Sequence, residues 1–384
     1  MNLEIKKILE LIKNNKFKEA IFSLDKLIKN DQNNIDYYHL RGISYLKLTK
    51  FDSAKNDFDK LLKLKSDFPD VYNNLAVLYF STGENELAIK NFHKAIELRE
   101  NFELAINGFI KALCYKNSVE VYNSFIFKNH HEINKIKFDY DPNNFIEDDK
   151  ILNFLDKTLE KVDKKFQNFH YLPTQIYRRD QRLLNCKRHD KVFKTHKVIP
   201  EFCFGCYKVQ IEPKNIFDLI RLYILFDNIY LDNIRKCMIE LRPKIPGNYK
   251  GLIYCNSIEE AKNIQKKISY YVNNNFKKKL PIKIKRGCTE YGLEYPQYNN
   301  LEKDVMTYKS DWKKYENSID ESYPNLAFND KLRPTIKGAT LHDILVIRNW
   351  IYFAQLNKDE KIELINNQTY ESSIIKKKFI LKSS

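Results

Sequence analysis

The residues best suited to chemistry crowd between positions 178 and 206. Cys186-x-x-His189 is followed, after 13 intervening residues, by Cys203-x-x-Cys206. Two ligands separated by two residues reach one ion when the chain makes a tight knuckle, and Gly205 permits such a turn. Four soft or borderline ligands in two such pairs suit a tetrahedral zinc, and His196 can stand in for His189. With exchangeable histidines the ion keeps a water, which is the catalytic variant of the same geometry. Arg178, Arg179 and Arg182 place three of the chain's 12 arginines within five residues, so an anion site is expected beside the metal. An enzyme built here would use Asp180, His189 and Cys206 as acid, base and nucleophile. The plain alternative is a set of buried apolar thiols beside a solvated basic loop.

A second thiol arrangement competes with the first. Counting by twos along three expected strands puts Cys237, Cys255 and Cys288 on one helix-covered face, where they would join Cys203 in a cluster, iron and sulfur included. No Gly-rich phosphate loop, Ser-centred elbow, HExxH or dinucleotide fingerprint is present, so an enzyme would need the metal or a thiol. The formal net charge of +16 invites a nucleic-acid partner. Lysines outnumber arginines heavily, however, and lysine lacks the planar fork that reads phosphate or guanine bidentately.

These residues need elements to hold them. The 384 residues are 43% apolar with only 9 glycines and 11 prolines, enough for two or three folding units and unlike a disordered or collagenous chain. The longest apolar run, Leu75 to Phe80, is far too short to cross a bilayer, and the first residues carry no apolar signal core; a cytoplasmic protein is expected, with no membrane partner.

A shift of 34 residues aligns Phe17 with Phe51, Ala20 with Ala54 and Ala88, Leu24 with Phe58 and Phe92, and Tyr45 with Tyr79. Each copy reads as a helix, a turn and an antiparallel helix. Tyr72, Leu75, Ala76, Tyr79, Gly83, Ala88, Phe92 and Ala95, with Tyr38, Gly42, Tyr45, Ala54 and Phe58 in the copy before, give residues 1 to about 100 a resemblance to the tetratricopeptide repeat family. That resemblance implies an α-helical solenoid with a concave groove that binds a peptide or protein partner. Asp36, His39, Ile43, Asn73, Asn74, Val77 and Phe80 are its groove-facing candidates. They do not form the lysine and asparagine clamp that some members use for a C-terminal carboxylate. The bland counterpart is an array that serves only as a spacer or intramolecular lid.

Lys128 to Asn144 reads as a linker, and the stripe from Phe145 to Phe166 as a helix. From Tyr207 to Cys288 the expected order is strand, helix, strand, strand, helix, strand, that of a ferredoxin-like βαββαβ unit. Tyr249 to Cys255 followed by Ile258 to Ala261 is similar to the third strand and second helix of RNA-recognition motif domains, which implies base stacking on Tyr254. Thr340 opens a buried helix, and the tail from Glu371 reads as an edge strand or a disordered end. The expected fold is mixed: a solenoid at 1–127, linker and helix at 128–175, the metal-knuckle and ferredoxin-like α+β domain at 176–292, and a helical C-terminal region at 293–384. The expected function is a protein-interaction adaptor carrying a zinc-stabilised domain. RNA or other polyanion binding and a metal- or thiol-dependent enzyme are its rivals.

Overall fold

Asn15, Thr49 and Gly83 stand 34 residues apart and all take left-handed φ angles, 59°, 57° and 85°. Each lies in the turn between two helices, the second of which begins two residues later. Lys16, Lys50 and Glu84 then donate backbone N–H groups to Leu11, Tyr45 and Tyr79 carbonyls, closing the same turn three times. The period found in the side chains is thus also a period of the backbone.

The structure, a computed structural model, describes residues 3–116, 120–138, 140–162, 164–166, 169–178, 186–243, 245–301, 305–326, 334–365 and 370–383. The elements in chain order are α1 (Leu3–Lys13), α2 (Phe17–Asn30), α3 (Ile35–Lys47), α4 (Phe51–Leu64), α5 (Pro69–Thr82), α6 (Asn85–Leu98), α7 (Glu103–Ala112), α8 (Phe125–Lys135) and α9 (Asp148–Leu159). There follow β1 (Gln175–Arg178), α10 (Cys186–His196), β2 (Tyr207–Ile211), α11 (Ile216–Asn228), β3 (Arg235–Ile239), β4 (Tyr249–Cys255), α12 (Ile258–Asn275) and β5 (Ile282–Arg286). The chain closes with α13 (Thr289–Glu294), α14 (Lys313–Ser322), α15 (Leu341–Leu356) and α16 (Ser373–Ser383). They form two compact units, one of residues 1–118, 183–200 and 309–331, the other of 119–182, 201–308 and 332–384. This division interleaves the chain where the sequence reading expected four consecutive segments, 1–127, 128–175, 176–292 and 293–384.

In the first unit, α1 to α7 stack as antiparallel pairs. Ala20, Ala54 and Ala88 are fully buried where the helices of a pair meet, and Leu24, Phe58 and Phe92 fill the adjacent layer. Gly42 permits the closest approach: a β-carbon there would lie 2.5 Å from the Phe58 ring. Arg41 ties neighbouring helices by a fork onto Asp57 at 2.7 and 2.9 Å and a bond to Asp25 at 2.7 Å. Thr49 pays the steric cost of a β-branched side chain in the left-handed region, and Asn325 offsets it by donating to the Thr49 carbonyl at 2.7 Å and Oγ1 at 3.3 Å. In the same unit Arg188 of α10 forks onto Asp320 and Glu316 of α14 at 2.6 to 2.8 Å.

The second unit is a five-stranded sheet in the order β1-β3-β4-β2-β5, antiparallel throughout. Its α11 and α12 cover one face, where Gly251 faces Leu222 and Phe226. α15 is buried along almost its whole length, so it carries no polar face. A capping box between Thr340 and Asp343 fixes its start.

Three expectations are corrected here. Part of the supposed linker 128–144 is α8, capped by Ser124 and anchored by buried Ile126, Phe127, His130 and Ile133; its polar and histidine positions broke the apolar period. The C-terminal tail is helical, α16, with Ile375 buried and Lys382 donating to the Glu240 and Gly247 carbonyls at 2.7 and 2.6 Å. The stripe 145–166 is helical only over α9, with a separate 3-10 turn at Lys164–Phe166.

Gly42→Ala is expected to destabilise the first unit by about 1–3 kcal/mol, the usual cost of overpacking. Urea unfolding followed by helical circular dichroism reads it; an unchanged midpoint would show that the Phe58 ring yields freely.

Candidate functional site

The seven groove candidates lie on two helices, Asp36, His39 and Ile43 on α3 and Asn73, Asn74, Val77 and Phe80 on α5. Asn34 caps α3 by accepting from the Asp36 amide at 3.2 Å, leaving the Asp36 carboxylate exposed in the first turn. One turn on, His39 Nε2 lies 3.4 Å from Asn74 Nδ2, and its ring packs 5.0 Å from Phe68. Burial lowers the His39 pKa against the opposing pull of Asp70 and Asp36, so the imidazole is neutral at pH 7. Ile43 packs onto the repeat core. On α5, Val77 is exposed, Phe80 is half-buried with its ring 5.7 Å from Tyr115, and Asn73 is buried with its carboxamide oxygen lacking a partner among the described residues. The structure therefore joins His39 to Asn74 directly and Asp36 to His39 electrostatically. Sequence reading missed Asp70, which lies beside His39 and takes a fork from Arg99 at 2.5 and 3.3 Å, and it missed Phe68. The helical spacing of Asp70 from Asn73 and Asn74 was the available signal.

The metal quartet is placed differently from the paired knuckles. Cys186 and His189 occupy the first turns of α10 in the first unit, Cys186 exposed and His189 buried, and a helix replaces the expected turn. Cys203 and Cys206 belong to the second unit and do sit in a tight turn, with the Cys206 amide donating to the Cys203 carbonyl at 3.2 Å. Among the described residues no group of three or more His, Cys, Asp and Glu side chains is arranged to hold a metal ion. His196 lies on α10 with Ser318 Oγ 3.1 Å from its Nε2. His189 and Cys206 fall in different units, and Asp180 lies outside the described residues.

No cysteine is disulfide-bonded. Cys203 Sγ is 3.8 Å from the Tyr291 hydroxyl and hydrogen-bonds Cys288, while Cys206 packs against Gly287. The hydrogen bond and burial raise the Cys203 thiol, and the same bond lowers Cys288. Cys237 and Cys255 are buried on the helix-covered side of β3 and β4.

Of the three arginines expected to bind an anion, Arg179 and Arg182 lie outside the described residues. Arg178 is buried and already meets two carboxylates, Asp227 at 2.6 Å and Asp343 at 3.0 Å. Its charge is neutralised inside the fold, so its place in an anion site is not supported by its surroundings.

Paired helices repeating every 34 residues define a helical repeat protein. Profiles of the tetratricopeptide repeat match residues 35–68 and 69–102. These residues are a tetratricopeptide repeat segment. No curated protein sequence matches the chain. Among solved structures, the second TPR domain of human RPAP3 in complex with an HSP70 peptide is 20% identical, covering 28% of this chain and 91% of that one at a TM-score of 0.27. The first TPR of Spaghetti (RPAP3) bound to an HSP90 peptide is 26% identical, covering 28% and 85% at 0.27. A crystal structure of MamA is 20% identical, covering 42% and 78% at 0.28.

Two buried histidines add to the acid sensitivity of the fold. Burial lowers both His189 and His130 to about 4, and neither His130 nitrogen has a partner among the described residues. The unfolded chain, with histidine near 6.5, takes these protons first. Their contribution to stability is therefore full above about pH 6.5 and falls as pH drops toward 4. His130→Leu is expected to flatten that slope by roughly one proton, as read by urea midpoints at pH 7, 6 and 5; an unaltered slope would show His130 protonates freely in the fold.

Proposed function

We propose that this chain is an adaptor whose repeat segment binds a peptide or protein surface across α3 and α5. The observation that carries the reading is the His39–Asn74 contact, which joins the first helices of two successive repeats and sets neutral imidazole and carboxamide groups between exposed Asp36 and exposed Val77. Carboxamides both donate and accept, matching a peptide backbone, and a flanking apolar side chain supplies burial. The described residues contain no helix long and apolar enough to cross a membrane.

The second unit is read as a ferredoxin-like domain. Its support is the neighbour order β3-β4-β2-β5, with α11 and α12 on one face and β1 added beside β3. A structural zinc on Cys186, His189, Cys203 and Cys206 requires one zinc per chain, lost on Cys203→Ser; a folded chain without metal removes it.

Photo-crosslinking from position 77, with position 63 on the outer helix α4 as control, tests the groove. A partner captured at 77 and not at 63, whose affinity falls tenfold or more in Val77→Arg and Asn74→Ala, is the expected result. Equal capture from both positions would overturn the groove assignment.

A further inference from the structure

The second unit contains a cavity of about 540 Å³, within the range of roughly 300–1,000 Å³ usual for small-molecule sites. Four pieces of chain wall it: α9, α11, the segment that follows α8 and the loop before α15. Its lining is mostly apolar. Phe154 and Ile224 are buried, Ile136 and Phe138 are half-buried, and the Phe138 and Phe154 rings meet edge-on with centroids 5.5 Å apart.

The loop before α15 is fixed by bonds of its own. Gly338 takes a left-handed φ of 91°, its amide donates to Asp227 at 2.9 Å and its carbonyl accepts from Arg178 at 3.3 Å. Asn134 donates to the Lys337 and Ala339 carbonyls at 3.4 and 3.1 Å. A wall already ordered in this way loses little freedom when a ligand enters. Most polar side chains of the lining are engaged. Asp227 accepts from Arg178 on one oxygen at 2.6 Å and from Gly338 on the other, the Tyr223 hydroxyl donates to Asp343 at 3.2 Å, and the Tyr140 hydroxyl donates to Asn275. What stays open is positive or donating. Lys137 and Lys337 line the cavity, are exposed, and among the described residues have no carboxylate at ion-pair distance. Asn228 gives one N–H to the Ile224 carbonyl at 2.8 Å, and among the described residues the other has no partner.

We propose that this cavity binds a small carboxylic acid, its apolar body against Phe138, Phe154 and Ile224 and its carboxylate held at the mouth by Lys137 and Lys337. The head group follows from the donors. Two ammonium groups and one amide N–H suit the two oxygens of a carboxylate, and no arginine lines the cavity to supply the fork that grips a phosphate. A cationic ligand is disfavoured, because Asp227, the one acidic residue of the lining, is already neutralised by Arg178. The site uses no residue of the groove on α3 and α5.

Calorimetric titration of the full chain with decanoate, decanol, decyl phosphate and 4-phenylbutyrate tests the site. The expected result is saturable binding of decanoate at one site, with decanol weaker on the order of tenfold. Reversing both exposed lysines, Lys137→Glu with Lys337→Glu, should weaken decanoate roughly tenfold and leave decanol unchanged, while Lys63→Glu on the outer helix α4 serves as a charge control and changes neither. Phe138→Ala should weaken decanoate and decanol alike, on the order of tenfold or more, through lost apolar contact. Should Phe138→Ala fail to fold, the lysine variants, altered only at exposed positions, still decide the matter. Tighter binding of 4-phenylbutyrate than of decanoate identifies an aryl body, and the reverse an alkyl one. Decanoate binding without saturation or a fixed stoichiometry, decanol binding as tightly as decanoate, or decanoate affinity unmoved by the lysine reversal would overturn the proposal, as would decyl phosphate binding more tightly than either acid.

Discussion

The second unit is organised around one buried guanidinium. Arg178, at the end of the edge strand β1, donates to Asp227 at the end of α11, to Asp343 in the first turn of α15, to the Tyr223 hydroxyl and to the Gly338 carbonyl. Asp227 in turn accepts the Gly338 amide at 2.9 Å, and Asp343 accepts the Thr340 amide at 3.0 Å as part of the cap of α15. A strand edge, two helices and a loop therefore share one charge. Losing Arg178 would leave two buried carboxylates without their shared cation, at about 3–5 kcal/mol, so these elements are expected to order together. Further along α15, Arg348, Asn349 and Trp350 donate to the carbonyls of Phe166, Phe169, Tyr171, Pro173 and Thr174, so the fork and these bonds together fix its direction and rotation.

The two units were legible to different degrees, for a physical reason. In the repeats, a residue's surroundings come from neighbours 34 positions away, so Ala20, Ala54 and Ala88 announce their packing through spacing alone. The left-handed backbone at Asn15 and Thr49 was hidden, because only Gly83 advertises it by residue type. In the second unit the element order from Tyr207 to Cys288 could be read from strand alternation and from Ser257 capping α12. The extra strand β1 could not, since four residues carry too little pattern. Nor could α8, where His130 and Asn129 are buried on a helix that reads as polar.

For the sites, spacing conveyed proximity along the chain but not orientation. Cys186 and His189 are three residues apart in either a knuckle or a helix, and the helical outcome aims them differently from the Cys203 turn. Arg178 looked like an anion ligand because its counter-charges, Asp227 and Asp343, are distant in sequence.

The first unit is assembled from three separated stretches, and the last of them, 309–331, is synthesised after most of the second unit. Helices α1 to α7 can emerge from a ribosome and pack as soon as they are made, yet Asn325, which ties the strained Thr49 turn, arrives more than two hundred residues later. At ordinary elongation rates of about 5–20 residues per second, the nascent array waits on the order of ten seconds or more with that turn unsupported. During this interval the surface later covered by α10 and α14 is open to chaperones, and biogenesis of the protein is coupled to how fast its middle is translated.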